Sequence, residues 1–149
     1  MIITGVDEMR AKGQSLAALL HTGDVILLSG PLGAGKTAFT QGIATYLGIT
    51  GVTSPTFVIS RIHEAGPKGI PLVHIDAYRL QDGDGSALFD DLDLIDHIER
   101  SITVVEWGEG LVDRIADQYL EIRLTHTEDE NTRELTFVGH GDRWNGFSI

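Results

Sequence analysis

The stretch VILLSGPLGAGKT, residues 25–37, restricts the possible architecture of this chain more than any other part of it. VILLS is an apolar run of strand length, the pattern of a strand buried on both faces. GPLGAGKT then fits G-x-x-x-x-G-K-[ST] at Gly30, Gly35, Lys36 and Thr37 without a mismatch. Lys36 to Leu47 continues in helical pattern and ends near Gly48, a residue suited to a helix C-terminus. A doubly buried strand, a glycine turn and a helix in that order call for an α/β sheet with helices packed on it.

The spelling of the loop follows from the physics of holding phosphate. Glycines at 30, 33 and 35 permit backbone angles with positive φ and a close approach to a ligand. Successive N–H groups then point inward at phosphate oxygens, and the positive end of the helix adds to them. Lys36 supplies a point charge, and the Thr37 hydroxyl is suited to Mg²⁺. The expected nucleotide contacts are Gly33, Ala34, Gly35, Lys36, Thr37 and Ala38, in a P-loop NTPase-type sheet flanked by helices with hairpin additions.

Magnesium takes oxygen ligands and keeps several waters, so such a site wants one or two carboxylates. Two apolar runs end in one: LVHID closes on Asp76 and ITVVE on Glu106. In open α/β sheets ligands gather at the carboxyl ends of strands, so both are candidates for catalysis and for the metal, together with Thr37. One carboxylate would hold the ion and the other orient a water, with the division left open. SPTF (54–57) lies where many phosphate-loop proteins carry a loop that senses the γ-phosphate, which makes Thr56 a candidate contact.

Elsewhere the pattern is plainer. Thr4 to Leu20 carries an imperfect helical stripe that Gly13 weakens. VTSPTFVISRI and IPLVHIDAY read as one hairpin around EAGPKG, and YLEIRLT and RELTFVG as another. The segment DGDGSALFDDLD (82–93) mimics a calcium loop but has Ala87 where glycine is required and Asp93 where Glu is required. His63 and His74 read as hairpin neighbours rather than metal ligands. Trp107 and Trp144 read first as packing residues.

Composition narrows the partners. The 149 residues suit a single nucleotide-binding domain spanning 1–149. There is no cysteine, no apolar run of membrane-spanning length, and no basic-then-apolar start of a secretory signal. A cytoplasmic protein with no membrane contact is expected. The net charge of −11 argues against direct binding to RNA. From Leu80 to Glu99 there are Asp82, Asp84, Asp90, Asp91, Asp93, Asp96 and Glu99 and no Lys or Arg. That run is either a solvated face or a docking surface for a basic partner.

Taken together, GPLGAGKT, TSPTF, HIDAYRL and VVEWGE in this order resemble the TsaE (YjeE) family over essentially the whole chain. The phosphate loop alone is widespread, whereas the set SPT[FY], H-x-D-x-Y-R-L and E-W is specific. The resemblance implies an ATPase that binds ATP/ADP and Mg²⁺ and acts with TsaB and TsaD in placing threonylcarbamoyl on adenosine 37 of tRNA. Its hydrolysis would reset that complex between turnovers, and tRNA would be met only through it. The resemblance also implies that Thr56 belongs to a first switch and that Trp107 neighbours the nucleotide or partner surface. Arg133 matches a basic position in the last hairpin that approaches the nucleotide, and Tyr78 and Arg79 complete the H-x-D-x-Y-R-L motif. The chain departs from the family at Gly108, where many relatives carry Pro. A small-molecule kinase of the same fold is the alternative, but its usual arginine-rich lid would fall in the acidic stretch. A regulatory GTPase would need N-K-x-D, which does not occur.

Overall fold

The computed structural model describes residues 1–52, 60–77 and 92–149. In chain order these form β1 (Ile2–Thr4), α1 (Gly5–Ala17), β2 (Val25–Ser29), α2 (Lys36–Leu47), β3 (Ser60–His63), β4 (Leu72–Asp76), α3 (Leu92–Glu99), β5 (Ile102–Glu106), β6 (Tyr119–His126) and β7 (Thr132–His140). Short 3-10 turns cover Val112–Arg114 and Asp142–Trp144. The strands make one seven-stranded sheet in the order β1-β7-β6-β2-β5-β4-β3.

The apolar run 25–29 is the middle strand, parallel to both neighbours, β5 and β6. All five of its residues are buried. Because side chains alternate across a strand, Ile26 and Leu28 join the core under α1 and α2. Val25 and Leu27 join the opposite core, which contains Leu94 and Ile98 of α3. The unbroken hydrophobicity is thus the signature of helices on both faces. The second expected hairpin is present as β6 with β7, and the first as β3 with β4, with residues 53–59 of its leading run lying outside the described residues.

Two local expectations need correction. The first helix stops at Ala17 rather than Leu20. Beyond it Leu19 and Leu20 close tighter turns onto Leu16 and Ala17, satisfying the last helical carbonyls. Gly13, which weakens an isolated helix by about 1 kcal/mol relative to Ala, is where α1 crosses α2. A Cβ there would lie 2.2 Å from the Phe39 carbonyl oxygen, and one on Gly42 would lie 2.1 Å from that of Arg10. The pair of glycines lets the two backbones touch. The sequence reading also has no counterpart for β1, whose three residues pair with β7 from Ile2↔Glu134 to Thr4↔Thr132.

The sheet's register decides what meets the loop. Glu106 of β5 lies opposite Leu28 of β2 and opposite Asp76 of β4. The C-terminal ends of three adjacent parallel strands therefore converge where the chain leaves β2 for α2.

Candidate functional site

The turn from β2 into α2 is made possible by glycines in backbone conformations closed to other residues. Gly30 has φ 153°, and a Cβ on it would fall 2.4 Å from the Leu124 carbonyl oxygen of β6. Gly35 caps α2 in the left-handed region at φ 105°, and among the described residues no side chain caps the helix end. That end is left with orphan donors, the feature that makes a helix N-terminus receptive to anions.

Lys36 sits at this end and is only 6% exposed. Its Nζ donates to the Gly30 and Pro31 carbonyl oxygens at 2.5 and 3.1 Å. It also lies 3.9 Å from the centroid of the Trp107 ring, within cation–π range. Burial pushes its pKa down from the usual lysine value, while the charges of Glu106, Glu109 and Asp76 push it back up. The three carboxylates favour the charged form of the lysine that burial disfavours.

Trp107 takes this place through an unusual backbone. It is the one non-glycine residue with positive φ, 59°, among the described residues, a conformation that costs an ordinary side chain roughly 1–3 kcal/mol. The kink follows the last residue of β5 and brings the indole over Lys36. Next to it, Gly108 is packed too tightly for a side chain, since a Cβ would meet Val105 Cγ1 at 2.4 Å. The departure from proline at this position is therefore matched to its surroundings.

Glu106 is 4% exposed. One carboxylate oxygen, Oε2, lies 2.5 Å from His74 Nε2. Asp76, directly opposite Glu106 in the register of β4 and β5, projects from the same sheet face and is half-buried. A cavity of ≈ 240 Å³ is bounded by Leu32 to Thr37 of the loop and helix end, with Glu106 and Trp107 opposite. A second cavity of ≈ 240 Å³ lies on the other side of Gly33, Ala34 and Gly35, between Ala38, Arg133 and the Val6–Met9 face of α1. Arg133 Nη2 reaches the Gly33 carbonyl oxygen at 3.3 Å, and its Nη1 is anchored on the carbonyls of Glu130 and Thr132.

The structure thus gathers Gly33, Ala34, Gly35, Lys36, Thr37, Ala38, Glu106, Trp107 and Arg133 around one loop, with Asp76 beside Glu106. Thr56, Tyr78 and Arg79 lie outside the described residues, as does most of the calcium-like segment, whose last two positions open α3. His63 and His74 occupy adjacent hairpin strands, with His63 opposite Leu72 and His74 opposite Arg61. Trp144 is a core residue packed edge-on against Phe147. Sequence reasoning overlooked two contributors. Glu109 adds charge near Lys36, and His74 is the partner of Glu106. The alternation of strand β4 carried the signal for His74, since positions 74 and 76 must share a face.

A family model described as threonylcarbamoyl adenosine biosynthesis protein TsaE matches residues 3–135. A Streptomyces coelicolor protein named tRNA threonylcarbamoyladenosine biosynthesis protein TsaE is 48% identical, covering 91% of this chain and 93% of its own. The same-named Bacillus subtilis protein is 37% identical, over 93% and 84% of the two chains. A crystal structure of Bacillus subtilis YdiB superposes with a TM-score of 0.78 at 32% identity, covering 97% of this chain and 87% of that one. With the family model running from β1 into β7 and relatives this similar along nearly their full length, the chain belongs to the TsaE family of tRNA threonylcarbamoyladenosine biosynthesis proteins.

Proposed function

We propose that this chain is a magnesium-dependent ATPase that works with TsaB and TsaD in forming threonylcarbamoyladenosine at position 37 of tRNA. The observation that carries the reading is the meeting of a buried Lys36 at an uncapped helix end with two carboxylates from adjacent strand tips. The residues suit the groups they would hold. Thr37, Glu106 and Asp76 offer oxygen donors, the kind magnesium selects. The loop N–H groups and Lys36 offer what a polyphosphate selects.

Lys36, already drawn toward the loop carbonyls, neutralises phosphate oxygens, while the backbone of Gly33 to Ala38 orients them. Thr37 and a carboxylate would hold magnesium, which would supply charge neutralisation to the phosphate. Of Glu106 and Asp76, one orients the attacking water and the other holds the ion, directly or through water. Glu106, buried and already tethered on one side, suits the positioning task. Arg133 and the cavity against α1 suit the remainder of ATP or ADP. Trp107 lies against the Lys36 ammonium in the wall of the same cavity. The whole chain, 1–149, acts as one nucleotide-binding domain in the cytoplasm; no helix among the described residues is long and apolar enough to cross a membrane. Hydrolysis resets the partner complex, and tRNA is met through that complex alone, consistent with the net charge of −11.

Reconstitution tests the reading. TsaB and TsaD are given tRNA and threonylcarbamoyl-adenylate over many cycles, with and without this protein and labelled ATP. Modification is expected to continue past the first turnover only when the protein and hydrolysable ATP are both present. Transfer of label to a nucleoside or nucleotide acceptor would instead establish the kinase alternative.

A further inference from the structure

His74 is fully buried yet has no part in the chemistry described so far. It sits in the middle of β4 among apolar residues, where burying a polar ring costs free energy unless its nitrogens are satisfied. Only one of them is. Nε2 lies 2.5 Å from Glu106 Oε2, and Nδ1 has no hydrogen-bond partner among the described residues. An apolar residue would fill the position without leaving an orphaned nitrogen, so packing does not account for the imidazole.

The geometry of the pair does. An ionised carboxylate can only accept hydrogen bonds, so Nε2 carries the hydrogen and donates it to Oε2. Glu106 has no other hydrogen bond among the described residues, and it forms part of the wall of the cavity that also contains Lys36 and Thr37. We infer that His74 is a positioning residue: its Nε2–H pins Oε2 so that Oε1 is held toward the cavity in one orientation. A histidine N–H fixed on a carboxylate that in turn meets a ligand is a common way of ordering a reactive oxygen. The inference rests on the proposed ATPase reading, because it specifies how one of that site's carboxylates is aimed.

Three substitutions separate aiming from packing. In Gln the amide nitrogen is the same number of bonds from Cβ as Nε2 of His, so His74→Gln keeps a donor near Glu106. In Asn the amide stops at the position of Nδ1, so His74→Asn is polar but out of reach. His74→Leu removes the donor and keeps the bulk. Each full-length variant is compared with the wild-type protein in three measurements: calorimetric ATP affinity with and without magnesium, kcat and KM for hydrolysis in the reconstituted assembly, and thermal midpoint.

The Leu and Asn variants are expected to lose about 10–100-fold in kcat with magnesium-free ATP affinity and KM little changed. The Gln variant is expected to recover most of the rate. Equal rates in Gln and Asn, or wild-type turnover in Leu, would overturn the assignment. If the Leu variant does not fold, the Gln and Asn pair decides alone. A wild-type protein that binds ATP but never hydrolyses it in the assembly would remove the underlying reading, an outcome visible before any variant is made.

Discussion

Two buried glutamates stand on either side of the central strand and differ in what surrounds them. Glu106 of β5 lies opposite Leu28, and Glu121 of β6 lies opposite Leu27, with exposures of 4% and 8%. Their side chains leave the sheet on opposite faces. Glu121 accepts from Arg123 Nε and Nη2 at 2.8 and 3.1 Å, from Ser29 Oγ at 3.2 Å and from His140 Nε2 at 3.1 Å. Glu106 accepts from His74 alone among the described residues. A carboxylate with both oxygens occupied by protein donors has nothing left for a ligand. One with a single tether is anchored and still available. Burial alone would have ranked the two together, and the completeness of their hydrogen bonding separates them.

The sharpest way to break this contrast is to remove each charge in turn and measure both turnover and stability. Glu106→Gln is expected to lower hydrolysis in the assembled complex by about 10²–10⁴-fold, the range for a positioned acid–base group, with ATP affinity and thermal midpoint nearly unchanged. A parallel collapse of magnesium-dependent ATP binding would identify Glu106 chiefly as the metal ligand and transfer the water-positioning task to Asp76. Glu121→Ala should do the reverse. Urea unfolding should show a loss of about 1–2 kcal/mol, the scale of charge-assisted hydrogen bonds discounted for the exposed Arg123, while hydrolysis stays within a few-fold. Equal effects of the two substitutions on turnover would abolish the distinction.

A smaller, pH-dependent effect sharpens it further. The Arg123 hydrogen bonds hold the Glu121 carboxyl below its usual value of 4.5, helped by His140 and Ser29 and opposed by burial. A carboxylate whose folded pKa is depressed contributes stability that is fully present above the unfolded value. That contribution is lost as pH falls through the folded value. The urea midpoint of the wild-type protein should therefore fall on acidification below about pH 4.5, and Glu121→Gln should flatten that part of the profile. An identical acid limb in the variant would show that other carboxylates carry it.

What could be read from the sequence, and what could not, divides along the same physical line. The passage from β2 through the loop into α2 was legible because its chemistry is local: a doubly buried strand, glycines where φ is positive, and Gly48 closing the helix at φ 73°. The strand-end carboxylates were legible for the same reason. What stayed hidden depends on partners distant in the chain. Ile2–Thr4 is a strand only because β7 lies beside it. Gly13 looked like a flaw in a helix until Gly42 faced it. His74 became the partner of Glu106 only through the register of two strands joined by some 25 intervening residues. Nothing in a tryptophan signals that its backbone will turn left-handed, as Trp107 does.

That tryptophan also gives the molecule an optical property. The sequence has two indoles. One lies against the ammonium of Lys36 at the mouth of the cleft, and the other is 3% exposed in the core. Ultraviolet emission from this chain therefore combines a chromophore in the wall of that cavity with an internal standard. Occupancy of the cleft should perturb the first and spare the second, whereas denaturation must shift both, so a spectrum recorded without any label distinguishes filling from unfolding.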